Sequence, residues 1–114
     1  MKSKNIKCKF DGITVELRDM EYYERISDET LAMAADVYID GKYEGTLENS
    51  GCGEGYYPCV NWELRNKLEE LLKPHSKTYT SPYDGTLHTL HYNVDFFFSD
   101  LVYAAYNGSK SFAM

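Results

Sequence analysis

Between Leu31 and Leu47 the order of the side chains leaves room for one local structure only. Leu31, Met33, Ala35, Val37 and Ile39 fall on one face of an extended strand, and Ala32, Ala34, Asp36 and Tyr38 fall on the other. Asp40-Gly41 follows where a two-residue hairpin turn belongs, because both central positions of such a turn need positive φ. Tyr43, Gly45 and Leu47 then carry the returning strand, with Lys42, Glu44, Thr46 and Glu48 facing out. A helix, with its period of about 3.6, cannot satisfy so strict an alternation.

The same period appears upstream. Ile6, Cys8 and Phe10 alternate up to the turn dipeptide Asp11-Gly12, and Ile13-Thr14-Val15-Glu16-Leu17 alternates beyond it. The pattern continues less cleanly through Met20, Tyr22 and Tyr23 to Ile26. Downstream the period changes. Asn61 is a good helix cap, Glu63 suits the positive helix start, and Trp62, Leu64, Leu68, Leu71 and Leu72 make an apolar stripe that Lys73 and Pro74 end. Residues 75–86 read as a polar loop, and Leu87 to Tyr92 as a short strand. Asn93 caps a second helix, Val94 to Tyr106, that is apolar nearly all round and is closed by Gly108.

These elements predict an α+β fold: an antiparallel three- to four-stranded meander, with two C-terminal helices packed on one face, in a single domain spanning residues 1–114. Because the helices follow the strands, a Rossmann-type sheet is not expected. A chain of 114 residues can bury a core without a disulfide or metal staple. Its 43% hydrophobic and 26% charged residues argue against disorder. No apolar run approaches the roughly 18 residues of a membrane span, and Met1 to Lys4 is basic with no apolar stretch behind it. A soluble, cytoplasmic protein without membrane contact is expected.

Charge narrows the function further. The net charge is −6, but residues 1–10 hold four lysines and no acid, while residues 11–54 hold twelve acids against three bases. Direct nucleic-acid binding needs a basic stripe and is not expected. A basic partner surface, by contrast, would be attracted. Eleven tyrosines point the same way, since tyrosine supplies contact area at low entropy cost. Tyr38, Tyr43, Tyr56 and Tyr57, with Glu44, Glu48 and Glu54, are therefore the candidate partner-binding residues.

The loop Gly51-x-Gly53-x-Gly55, between a strand and a helix start, is a second candidate, because such loops can offer backbone N–H groups to an anion. It holds an acid and no base, and matches neither a Walker loop nor a dinucleotide fingerprint. Cys8, Cys52 and Cys59 have no disulfide framework spacing, and Cys52, Cys59, His88 and His91 lack the usual spacing of zinc ligands. Buried thiols and ordinary polar histidines are expected. No nucleophile motif accompanies the histidines, so no catalytic residue, cofactor or metal is assigned.

The stretch Leu31 to Lys42, with Gly45 and then Asn49-Ser50-Gly51-Cys52-Gly53, resembles a family of small uncharacterised proteins of bacteria, phages and mobile elements. Those share a hairpin, a glycine-containing loop and two following helices. The resemblance implies no catalytic residues. It implies a gene that travels with phages, and small acidic phage proteins often block a host nuclease or sensor. The leading expectation is a non-enzymatic binding protein: a phage-encoded inhibitor, in the host cytoplasm, of a host defence complex such as a CRISPR effector, acting by occlusion of a basic nucleic-acid-binding surface. The alternatives are a protein that sequesters a nucleotide signal in the 51–55 loop and a structural module without a defence role. The second helix carries Phe96, Phe97, Phe98, Leu101, Val102, Tyr103 and Tyr106, wider than one packed stripe, so a homodimer about this helix or an edge strand is also expected.

Overall fold

The computed structural model describes residues 2–27, 30–53, 55–90 and 92–113, and the backbone alone of Ile26, Lys77, Tyr79 and Leu90. Asp-Gly dipeptides turn both hairpins of its main sheet. Asp11 and Gly12 have φ of 47° and 82°, and Asp40 and Gly41 have 51° and 83°. Doubly positive pairs of this kind match the twist of the strands they join. They connect β1 (Ile6–Phe10) to β2 (Ile13–Tyr22), and β3 (Met33–Ile39) to β4 (Lys42–Asn49). The Asp40 carboxylate accepts the Thr14 N–H at 2.9 Å, which fastens the second turn to β2.

These four strands pair as an antiparallel meander, but the sheet is larger than that. A fifth strand, β7 (Ser111–Phe112), lies parallel to β1, giving the order β4-β3-β2-β1-β7. A parallel neighbour needs a long connection, and the last leg of it here is α2 (Val94–Tyr106). The expected pure meander is corrected accordingly to a mixed, mostly antiparallel sheet.

Two bulges set which side chains reach the core. In β2, Ile13, Val15 and Leu17 are buried; Asp19 then takes φ of 54°, the pairing slips between Arg18 and Glu21, and Met20 is buried in place of residue 19. One extra residue reverses the phase of all that follows, which explains the blurred pattern after Leu17. In β4 the slip falls between the Val37–Gly45 and Tyr38–Tyr43 pairs, leaving Glu44 as the extra residue. Tyr43, expected to point inward with Leu47, is turned out by it and is 52% exposed. Gly45 sits beneath a close crossing: a Cβ there would lie 2.0 Å from the Cys59 carbonyl oxygen, whose own N–H donates to Thr46 at 2.6 Å.

Both helices begin at the caps read from the sequence. Asn61 accepts the Leu64 N–H at 2.8 Å ahead of α1 (Trp62–Leu72), and Asn93 accepts the Phe96 N–H at 3.0 Å ahead of α2. Val94, Phe97, Phe98, Leu101, Val102 and Ala105 of α2 share one core cluster with the inward residues of β1 to β4 and with Leu68 and Leu72 of α1. Phe97 meets Phe10 and Phe98 edge-on, with ring centroids 5.2 and 5.1 Å away. Trp62, expected in the stripe of α1, is instead 70% exposed.

Residues 75–86 are not all loop. β5 (Lys77–Thr80) pairs with β6 (Leu87–Leu90) in a separate antiparallel hairpin, and Tyr83 at its tip is 97% exposed. Threonines open to solvent replace the apolar alternation by which such a strand is recognised. Among the described residues no helix is long and apolar enough to cross a membrane.

Candidate functional site

The face of the main sheet turned away from the core is assembled by strand parity. β2 contributes Thr14, Glu16 and Arg18, and Glu21 past its bulge; β3 contributes Ala34, Asp36 and Tyr38; β4 contributes Tyr43, Thr46 and Glu48. Tyr38 and Tyr43 face each other across the β3–β4 pair with ring centroids 5.7 Å apart. The Arg18 guanidinium lies over the Tyr38 ring at 3.8 Å and pairs with the Glu16 carboxylate at 2.8 Å. A flat cation on a ring with a carboxylate at its edge is a stable arrangement for arginine. Next to this stack the small side chain of Ala34 leaves a depression of about 290 Å³, with Asp19, Glu21, Asp36 and Glu48 around it. The Tyr23 hydroxyl donates to Glu21 at 2.7 Å, and that bond to a carboxylate holds its pKa above the ordinary phenol value.

The predicted partner-binding residues do not all meet here. Tyr38, Tyr43 and Glu48 lie on this face. Glu44, the bulge residue, is largely covered and pairs with Lys42 at 3.6 Å. Tyr57 is exposed beneath the Arg65 guanidinium, 4.6 Å from its ring. Tyr56 is not a surface residue: it is 3% exposed, its hydroxyl donates to the Leu31 carbonyl at 2.9 Å, and burial pushes its pKa upward. Glu54 lies outside the described residues. Glu16, Asp19, Glu21 and Asp36 belong to the acidic segment 11–54 but are not among the acids singled out in it, and Arg18 is not a candidate at all, although the alternation that places Tyr38 outward also places Asp36 outward.

The glycine loop is organised from within. The buried Asn49 side chain accepts the Gly51 N–H at 2.8 Å and the Thr30 hydroxyl at 2.7 Å; Thr30 in turn accepts the Gly53 N–H at 3.3 Å. Beyond Gly55, the Tyr56 N–H donates to the Asp95 carboxylate at 2.6 Å. A Cβ on Gly55 would come within 3.0 Å of Asp95 Oδ1, so the loop packs closely on the start of α2. The amides of Gly51 and Gly53 that an anion would need are thus turned to the chain's own oxygens, and the Asp95 carboxylate stands beside Gly55.

Of the cysteines only Cys8 is buried, and burial pushes its thiol up to about 11. Cys52 and Cys59 are exposed, contrary to the expected set of buried thiols. Among the described residues no group of three or more His, Cys, Asp or Glu side chains converges as a metal site; His91 lies outside them. On α2 most of the broad apolar surface is buried within the chain, and Phe96 and Tyr103 are its exposed large apolar side chains. Tyr103 is partly committed, its hydroxyl accepting the Leu31 N–H at 3.1 Å.

Comparison with known protein families, with curated proteins and with solved structures finds no match to this chain.

Proposed function

We propose that this chain is a non-enzymatic binding protein whose outer sheet face occupies a Lys/Arg-lined surface of another protein. The observation that carries the reading is the Tyr38–Tyr43 pair beside Asp19, Glu21, Asp36 and Glu48, on strand positions that alternate with the buried residues of the core cluster. Arginines of a partner would lie on the tyrosine rings and reach the carboxylates, as Arg18 does within the chain. Such a surface competes with nucleic acid for a basic channel, and its association is steered by charge. With the phage resemblance of residues 31–55, the proposed target is a host defence effector of the CRISPR type, and the proposed mechanism is occlusion without chemistry.

The test is a competition measurement. Association with a nucleic-acid-free effector should be saturable at low ionic strength, weaken steeply with salt and be displaced by the effector's own guide RNA. Tyr43→Ala combined with Asp36→Lys and Glu48→Lys should abolish it while the fold is kept. Retention of binding by that variant, or no binding to any such effector at low salt, refutes the proposal.

A further inference from the structure

The opposite end of the chain's charge distribution carries a second site. At the β1–β7 edge a cavity of about 480 Å³ is lined by Lys2, Lys4, Lys7 and Lys110, with Glu16 its sole acid among the described residues. Glu16 already pairs with Arg18, and Lys2 with Glu24. Lys4, Lys7 and Lys110 make no ion pair among the described residues, although the chain holds 18 carboxylic side chains against 12 basic ones. Folding brings Lys110 to this place. Lys7 is the register partner of Ser111, and its N–H donates to the Lys110 carbonyl at 3.1 Å. Three ammonium groups without an ion pair among the described residues thus line one cavity, with Glu16 opposite Lys7 in the strand register, and ammonium groups are point-charge binders of phosphate.

A second cavity, of about 460 Å³, shares Lys2 and Lys4 with the first and is otherwise lined by Met20, Glu21, Tyr22 and Tyr23. Tyr22 is held in place, its hydroxyl donating to the Ser3 carbonyl at 2.7 Å, while Tyr23 is partly exposed. The two lobes therefore place a cationic pocket and an aromatic one on either side of the same two lysines. We infer that they form a binding site for a nucleoside di- or triphosphate, with the phosphates among Lys4, Lys7 and Lys110 and the base against Tyr23. An extended phosphate backbone fits less well, because it would run on from β1 over the acidic residues of β2 and β3.

The site lies apart from the glycine loop and from the Tyr38–Tyr43 pair. Glu21 lines both its aromatic lobe and the depression of the proposed partner surface, and Glu16 lines its cationic lobe. The two are therefore told apart by changing only Lys4, Lys7, Lys110 and Tyr23, none of which is among the residues named for the partner surface. Titration of the isotope-labelled full-length chain with ADP at low ionic strength should give saturable amide shifts confined to residues 2–7, 20–23 and 108–111. ADP should raise the melting temperature, as a ligand of the native state does. Lys4→Gln with Lys7→Gln and Lys110→Gln, all exposed positions, should weaken ADP by at least about tenfold. Lys42→Gln with Lys73→Gln, which removes charge elsewhere, should leave affinity within about twofold. Tyr23→Leu should weaken ADP but not tripolyphosphate. Four outcomes overturn the inference: no saturable shift, equal loss in the two lysine variants, tripolyphosphate binding as tightly as ADP, or a single-stranded oligonucleotide binding more tightly than either.

Discussion

On the inner face of the main sheet Val15, Leu17, Val37 and Leu47 have no exposed surface, while their immediate neighbours Glu16, Arg18, Tyr38 and Glu48 sit on the outer face with charge and phenol toward solvent. One alternation builds both faces, yet they answer to different physics. The inner face shares one buried cluster with Phe97, Phe98 and Leu101 of α2, so each side chain there is determined by volume. The outer face is held by pairings worth a few tenths of a kcal/mol each, so its carboxylates and tyrosines are not what keeps the chain folded. Residues that stability does not demand are the ones available for recognition.

The largest effect expected from this contrast is at Phe97. It is fully buried at the meeting of β1 and α2, and its ring touches Phe10, Tyr92 and Phe98. Phe97→Ala should cost about 3–5 kcal/mol in denaturant-induced unfolding. A loss below about 1 kcal/mol would mean that the two faces do not differ as described.

A smaller effect, confined to alkaline solution, comes from Cys8 on the inner face. Its thiol is raised from 9.0 to about 11 by desolvation, so the folded state holds its proton where the unfolded chain releases it. The stabilisation is complete below pH 9 and is lost as pH rises through 11, at a slope of about 1.4 kcal/mol per pH unit. Tyr22, raised by burial from 10.0 to about 12, adds a second decline that begins about one pH unit higher. Unfolding free energies compared at pH 9 and 10 should therefore fall in the native chain and fall less in Cys8→Ala. Parallel pH curves for the two proteins would remove Cys8 from the account.

The smallest effect belongs to the outer face. Glu48→Gln should leave stability within about 0.5 kcal/mol, and Tyr43→Ala should cost no more than about 1 kcal/mol through the lost contact with Tyr38. Thermal unfolding of both variants sharpens the comparison: near-native melting combined with lost partner association separates recognition from folding. A cost at Tyr43 as large as that at Phe97 would instead make the tyrosine pair structural.

Short-range chemistry is what the sequence alone determined. The Asp-Gly turns, the inward set from Met33 to Ile39, the Asn61 and Asn93 caps and the α+β order each depend on residues within one turn or one strand, where period and capping act without help. Tertiary structure decided the rest. Ser111–Phe112 is too short to show a period, and it became a strand only because β1 had an open edge beside it. The bulges at Asp19 and Glu44 each added one residue, and since the side-chain period of a strand is two, each exchanged the faces of what lay beyond it. That exchange put Tyr43 outside, opposite Tyr38. Tyr56 went the other way, because its ring filled core space beside Tyr103 and its hydroxyl found the Leu31 carbonyl, a partner 25 residues distant that no local pattern records.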